Sequence, residues 1–204
     1  MARYTGPRCR KCRQLGFSVC GSPRCALLNR STPPGMHPAL RRKMSDFKKR
    51  LIEKQKMRYA YWITERQFRN YVKKAFKKPG VAGEYLLSLL ERRLDTVVYR
   101  LGFAPSILAA RQLVTHGHIR INDQKVNIPS YILKEREEIT LKEESKKLAL
   151  VEEGMARSMA RPMPSYIQVD REALKGSLVA LPMRDQIPLD INESLVVEHY
   201  TKYI

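Results

Sequence analysis

The sequence predicts an α+β chain: a looped N-terminal arm, a mainly helical basic domain, and a second domain built on a helix, helix, hairpin unit with additional strands. Three observations carry this. Residues 1–45 are punctuated by Gly6, Pro7, Gly16, Gly21, Pro23, Pro33, Pro34, Gly35 and Pro38, which rules out long helices and implies an extended segment. Leu86, Leu87, Leu90, Leu94, Val97, Val98 and Leu101 fall on one side of a period of about 3.6 residues, the mark of a buried helical stripe. After Gly117 the period drops to two. Ile119 and Ile121 alternate with His118 and Arg120, a turn falls at Asn122 and Asp123, and Val126 and Ile128 return.

The remaining elements follow from caps and breakers. Ser45 or Asp46 caps a basic helix running to Tyr59, with Phe47, Leu51 and Met57 as anchors. Thr64 caps the next helix, which carries Glu65 early and Lys73 and Lys74 late, as the helix dipole prefers. Pro79 and Gly80 stop it, and one long apolar helix follows Gly83, leaving Arg92, Arg93 and Arg100 outside its stripe or at its edge. Gly102, Ala104 and Pro105 break that helix; Ser106 caps another through Ile107, Ala110, Leu113 and Val114, ended by His116 and Gly117. Beyond the hairpin the pattern predicts a strand at Ile139 and Leu141, a helix within 146–159, a turn at 161–164, strands at 166–169 and 178–181, and a terminal helix at 192–200 with Leu195 and Val196 inward.

Charge is distributed unevenly. The formal net charge is +19, and residues 1–80 hold 22 lysines and arginines against only Asp46, Glu53 and Glu65, whereas residues 81–204 hold 17 of each sign. An excess of this size, confined to one region, would destabilise the free protein by self-repulsion and points to a polyanion gripped mainly by the N-terminal part. There is no apolar run of about 18 residues and no hydrophobic signal core after Met1, so a soluble, cytosolic protein is expected. Nothing matches GxxxxGK[ST], GxSxG or HExxH. His116 and His118 have no cysteine beside them and read as a helix end and a strand residue, and His199 reads as structural. The chain is expected not to be an enzyme.

All four cysteines lie close together, as Cys9, Cys12, Cys20 and Cys25, in the arrangement C-x2-C-x7-C-x4-C. Two residues between thiolates let one tight turn present both sulfurs to a tetrahedral ion, and Gly16, Gly21 and Pro23 bring the second pair round, so the spacing points to one structural Zn2+. Arg8, Arg10, Lys11, Arg13 and Arg24 would offset the negative charge of four thiolates. Two disulfides, reduced thiols without a ligand role, a redox-switched site and an iron–sulfur cluster are the alternatives, with disulfides disfavoured in a cytosolic setting.

The words RLDxVVYRLGFA, ARQLVxHGHIxIN and VNIPSY resemble the small RNA-binding module named after ribosomal protein S4. The opening ARYTGPRCRKC, the PPGxH at residues 33–37 and the closing DINESLVVEHY extend the resemblance to the ribosomal protein family itself, over nearly the whole chain. The resemblance implies a structural constituent of the small ribosomal subunit. It would bind small-subunit rRNA at a multi-helix junction, nucleate assembly, and help line the mRNA entry region beside neighbouring small-subunit proteins. It also implies a first domain at 1–91, on which 190–204 packs back, and a module domain at 92–189. Some members carry a four-cysteine zinc site here, with a longer middle gap.

With RNA as partner, the candidate contacts on the arm are Arg3, Arg8, Arg10, Lys11, Arg13, Arg24, Arg30 and His37. On the basic helices they are Arg41, Arg42, Lys48, Lys49, Arg50, Lys54, Lys56, Arg58, Tyr59, Arg66, Arg69, Lys73 and Lys74. On the module they are Arg92, Arg93, Arg100, Arg111, Gln112, His116, His118 and Arg120, the last five forming one surface at the start of the hairpin. Trp62, Phe68 and Phe76 read as core, while Tyr59 and Tyr61 stay open between packing and stacking on bases. The module also recurs attached to catalytic domains. An RNA-modifying role would need a further domain on the order of 100 residues or more, and only about 70 residues follow Tyr131. A translational repressor is the other alternative.

Overall fold

A computed structural model describes residues 4–37, 43–201 and 203 of the chain. It divides into two compact units, one comprising Met1–Leu86 with Asp190–Ile204 and the other Leu87–Leu189.

In the first unit, α1 (Arg8–Leu15) and α2 (Ala26–Asn29) interrupt the looped arm, so the segment is less extended than its glycines and prolines imply. Gly16, in the left-handed region at φ 62°, ends α1. Helix α3 (Asp46–Ala60) starts at Ser45, whose side chain accepts from the Lys48 N–H, and α4 (Glu65–Phe76) starts at Thr64, which accepts from Gln67. Phe47 is 54% exposed and Phe76 37% exposed, so neither serves as the expected core residue. Met57, Tyr61, Trp62, Ile63, Phe68, Val72 and Ala75 form the core instead.

The expected single helix after Gly83 is in fact two, α5 (Ala82–Glu91) and α6 (Leu94–Arg100). The break has a non-local cause. Arg93 forms a β-bridge with Ile132, Leu94 N–H donates to the Tyr131 carbonyl, and Leu133 N–H donates to the Arg92 carbonyl, so backbone groups that would continue the helix are satisfied by another segment. The apolar stripe survives the break, since Leu86, Leu87, Leu90, Leu94, Val97, Val98 and Leu101 are all at most 1% exposed.

In the second unit, α7 (Ile107–Thr115) is capped by Ser106 and packs on α6. Strands β1 (Ile119–Ile121) and β2 (Gln124–Lys125) meet through a two-residue turn in which Asn122 and Asp123 both take positive φ, 46° and 64°. The returning strand is shorter than expected, and Ile128 is 54% exposed. Strand β3 (Glu138–Leu141), the one-turn helix Glu143–Ser145 and α8 (Ala149–Ser158) come next. A second hairpin follows, β4 (Ile167–Asp170) and β5 (Lys175–Leu178). Its second strand begins three residues before the expected 178 because Asp170 Oδ1 accepts from the Glu172 and Ala173 N–H groups, tightening the turn. The five-stranded sheet is antiparallel throughout, in the order β2-β1-β3-β5-β4. A Cβ on Gly176 of β5 would lie 2.3 Å from Leu101 Cδ2, so the glycine leaves room for the Leu101 side chain against the sheet.

The last helix, α9 (Glu193–Thr201), belongs to the first unit and packs along α3. Val196 is buried and Leu195 half-buried. The Tyr200 hydroxyl donates to Glu65 Oε1 at 2.5 Å, and the Asn192 N–H donates to Glu53 Oε2 at 3.1 Å.

Candidate nucleic-acid interface and cysteine cluster

Cys9 and Cys12 lie one turn apart on α1, while Cys20 and Cys25 follow the reversal at Gly16. The sulfurs of Cys9, Cys20 and Cys25 all lie within 4.8 Å of one another. Metal–sulfur bonds of about 2.3 Å in a tetrahedral site place sulfurs about 3.8 Å apart, so a small closing movement brings this trio onto one ion. Cys12 Sγ donates to the Arg8 carbonyl at 3.6 Å and also interacts with the Cys20 and Cys25 side chains. All four are free thiols. Burial pushes the Cys12 thiol up to about 12 and that of Cys20 upward as well. Burial also acts to raise Cys25, but the Leu27 N–H and the Ser18 side chain outweigh it, and that thiol titrates below its ordinary value. The cluster is able to hold a metal ion.

Around the cluster, Arg8, Arg10, Arg24, Arg30 and His37 are exposed. Arg13 is engaged within the arm, donating to the Thr32 carbonyl at 2.9 Å and the Pro33 carbonyl at 3.3 Å. Lys11 Nζ sits 5.2 Å from the Tyr59 ring centroid, Arg58 stacks on that ring at 4.2 Å, and Trp62 meets it edge-on at 5.7 Å. Tyr59, 9% exposed, and Tyr61, 1% exposed, are therefore packed residues and not free stacking platforms.

The helices sort their charges by face. On α4, Phe68, Tyr71, Val72 and Ala75 point inward, while Arg66, Arg69 and Lys73, spaced three and four residues apart, share the exposed face with Lys74. Arg66, Arg69 and Lys73 have no carboxylate partner among the described residues, so their charge faces water uncompensated. On α3, Lys48 and Lys49 are exposed, Arg50 lies 3.4 Å from Glu198, and Lys56 pairs with Glu53 at 2.7 Å. Lys54 departs from its expected exposure. It is 5% exposed and donates to Glu65 at 3.0 Å, where Arg58 also binds at 3.2 Å. Burial acts to raise the Glu65 carboxyl, but the hydrogen bonds from Tyr200 and Lys54 hold it below its ordinary value. Arg3, Arg41 and Arg42 lie outside the described residues.

On the module the structure corrects the placement of Arg93. Instead of standing outside the apolar stripe, it is 2% exposed and grips Asp95, itself fully buried, through two hydrogen bonds of 3.0 and 2.8 Å. Arg111 reaches the same carboxylate at 2.9 and 2.7 Å. Arg100 holds the buried Glu91 at 3.0 and 2.7 Å, and the Tyr166 hydroxyl donates to Glu91 at 2.9 Å. Arg92 donates to the Leu133 carbonyl at 2.9 Å. Two buried acids thus draw three of the expected RNA-facing arginines into the fold. Gln112, His116 and Arg120 remain exposed and His118 half-buried.

Residues 3–91 match the model of the ribosomal protein S4/S9 N-terminal domain, and residues 92–139 match that of the S4 domain. The small ribosomal subunit protein uS4A of Symbiobacterium thermophilum is 47% identical over 99% of this chain and its own full length. The uS4 proteins of Geotalea daltonii, at 47%, and Thermus thermophilus, at 46%, align over the same shares. This chain belongs to the ribosomal protein S4 family. As a family member it is a structural protein and not an enzyme, and no helix among its described residues is long and apolar enough to cross a membrane.

Two cations of the second unit are missing from the sequence-based candidates. Lys125 stands directly across the hairpin from Arg120, and the N–H of Lys142 donates to the His118 carbonyl at 2.9 Å. Counting outward from the Asn122–Asp123 turn would have found Lys125. Lys142 depends on the β1–β3 pairing, which has no local signal.

Proposed function

We propose that the protein is a non-catalytic constituent of the small ribosomal subunit that binds small-subunit rRNA at a multi-helix junction and nucleates assembly there. It also lines the mRNA entry region beside neighbouring small-subunit proteins. The observation that carries this reading is the uncompensated basic face of Arg66, Arg69 and Lys73, in a region whose 22 cations meet three acids, on a chain whose full-length relatives are small-subunit proteins. Recognition rests on shape and phosphate charge, because the deep major groove of A-form RNA resists side-chain reading while a junction presents a distinctive backbone geometry. The excess charge belongs to a first domain of residues 1–91 with 190–204; residues 92–189 form the module domain. Sedimentation of the native protein is the test. It should travel with small ribosomal subunits at physiological salt and leave them as salt rises, whereas free behaviour at physiological salt would count against the reading.

Cys9, Cys12, Cys20 and Cys25 would hold one structural Zn2+. Three converging thiols, a fourth on the adjacent turn and the cationic collar of Arg8, Arg10, Lys11 and Arg24 support this, since such a site supplies folding energy to an arm with little apolar content. Elemental analysis should find about one equivalent of zinc. Cys20→Ser should lose it and expose the arm to protease. Metal absent from the intact protein, or retained by the variant, would remove the site.

A further inference from the structure

On the outer face of the first hairpin one cation opposes another, and a third opposes a histidine. Arg120 of β1 is paired across the ladder with Lys125 of β2, and Lys142, one residue past β3, is paired with His118. His118 and Arg120 are two residues apart on one strand, so these four side chains share a face. Like charges directly opposite one another weaken a ladder, and something must offset them. The cavity they surround, about 340 Å3, has one acid in its lining, Glu144, and Lys142 Nζ already takes it at 2.6 Å. Arg120 acts on Glu144 only through its charge, and neither it nor Lys125 forms a direct ion pair there.

The backbone is shaped to place these cations. Gly117 has φ +77°, and a Cβ there would lie 2.3 Å from Lys125 Cε and 2.9 Å from its Nζ, so the ammonium group rests over bare backbone between the two histidines. The rings of His116 and His118 are 6.1 Å apart. His118 Nδ1 lies 2.8 Å from the hydroxyl of Ser145, which is buried. A hydroxyl donates to a neutral imidazole nitrogen and accepts from a protonated one, so this contact serves either charge state. Burial, then the charges of His116, Lys142 and Lys125, holds His118 below the ordinary histidine range in the free protein.

We infer that this cavity seats one phosphate group, held by Arg120, Lys125 and Lys142 and bound together with a proton taken up by the His116 and His118 pair. The inference rests on the rRNA-binding reading and names the group this face takes. Donors arriving from three strands suit a tetrahedral group with acceptor oxygens on several sides better than a planar carboxylate. An anion here offsets the cationic surroundings that disfavour imidazolium, so binding raises the histidine pKa. Affinity then increases as pH falls between the free and bound values, by up to about tenfold per pH unit for one proton.

The test titrates the full chain with sodium sulfate, whose charge is constant over about pH 5 to 8, while the histidine ring protons are followed by NMR. Sodium chloride at matched ionic strength is the control. Sulfate should raise the pKa of His118 beyond the chloride effect, and Lys125→Gln should remove most of that rise. Histidines that respond to sulfate and chloride alike, or equally in Lys125→Gln, overturn the proposal. A polyglutamate peptide that moves them where sulfate does not would make the face a protein-docking surface and overturn it too. A second arm measures affinity for a small-subunit rRNA fragment at about pH 6 and about pH 8. Tightening at the lower pH, weakened in Lys125→Gln, assigns the phosphate to the rRNA backbone. A sulfate response with pH-independent rRNA binding assigns it to a free phosphate ion. No rRNA affinity at either pH would count against the function proposed above while leaving the sulfate result intact.

Discussion

Two regions of the molecule, one in each unit, treat positive charge in opposite ways. In the unit formed by Leu87–Leu189, Arg93 and Arg111 close on Asp95 and Arg100 closes on Glu91, so guanidinium groups are used in tying α5, α6 and α7 together. In the other unit, Glu65 gathers Lys54 and Arg58, but Arg66, Arg69 and Lys73 on the next turns are left facing water. The difference teaches that cation count alone does not locate a polyanion site. What matters is whether a buried acid lies within reach, because a desolvated arginine with its carboxylate is internal structure, whereas an uncompensated exposed one is available charge.

Removing a buried acid is the hardest blow to that contrast. Asp95→Ala would remove the buried carboxylate shared by Arg93, 2% exposed, and Arg111, 11% exposed, and should destabilise the module unit by about 3 to 5 kcal/mol in denaturant unfolding. A loss below about 1 kcal/mol would mean that water already reaches these groups and that the two units handle charge alike. The reverse experiment replaces Arg66, Arg69 and Lys73 by Gln. Stability should move by less than about 0.5 kcal/mol per site, while the slope of log affinity for rRNA against log salt should flatten by roughly 2 to 3. An unchanged slope would make the α4 face a merely solvated one.

The mildest test concerns Glu65, where both kinds of charge meet. Tyr200→Phe removes one hydrogen bond to it and should cost about 1 kcal/mol at neutral pH. Because the folded Glu65 carboxyl lies below its ordinary value of 4.5, its contribution is present above that value and is lost as pH falls through the lower folded one. The gap between wild type and variant should therefore close in acid. Unfolding midpoints compared from about pH 6 down to about pH 3 would check this, and a constant gap would uncouple Tyr200 from the carboxylate.

Local signals in the sequence were read well where the physics is local. Ser45, Thr64 and Ser106 cap the helices they should, and Asn122 and Asp123 make the expected turn, because each of these depends on residues within a few positions. Arg93 was misplaced because its fate is decided by Ile132, which breaks the helix from 39 positions away, and by Asp95, whose burial no periodicity announces. Phe47 and Phe76 differ from expectation for the opposite reason, since an aromatic on a helix is core only where neighbouring elements cover it, and these two stay at the surface. The cysteine spacing points to one cluster, and the sulfurs of Cys9, Cys20 and Cys25 converge while Cys12 interacts with Cys20 and Cys25.

The packing of α9 along α3 sets an order on how the molecule is made. A ribosome synthesises the chain from its first residue onward, and domains fold as units when their last element emerges. The unit that contains residue 4 lacks α9, with Val196 for its core and Tyr200 for Glu65, until residue 201 has been added, whereas Leu87–Leu189 is contiguous and complete before then. Of the two units, the one begun earlier is thus finished later. Through most of translation the basic helices α3 and α4 exist as a partly built surface, ahead of the closing strap that fixes their faces.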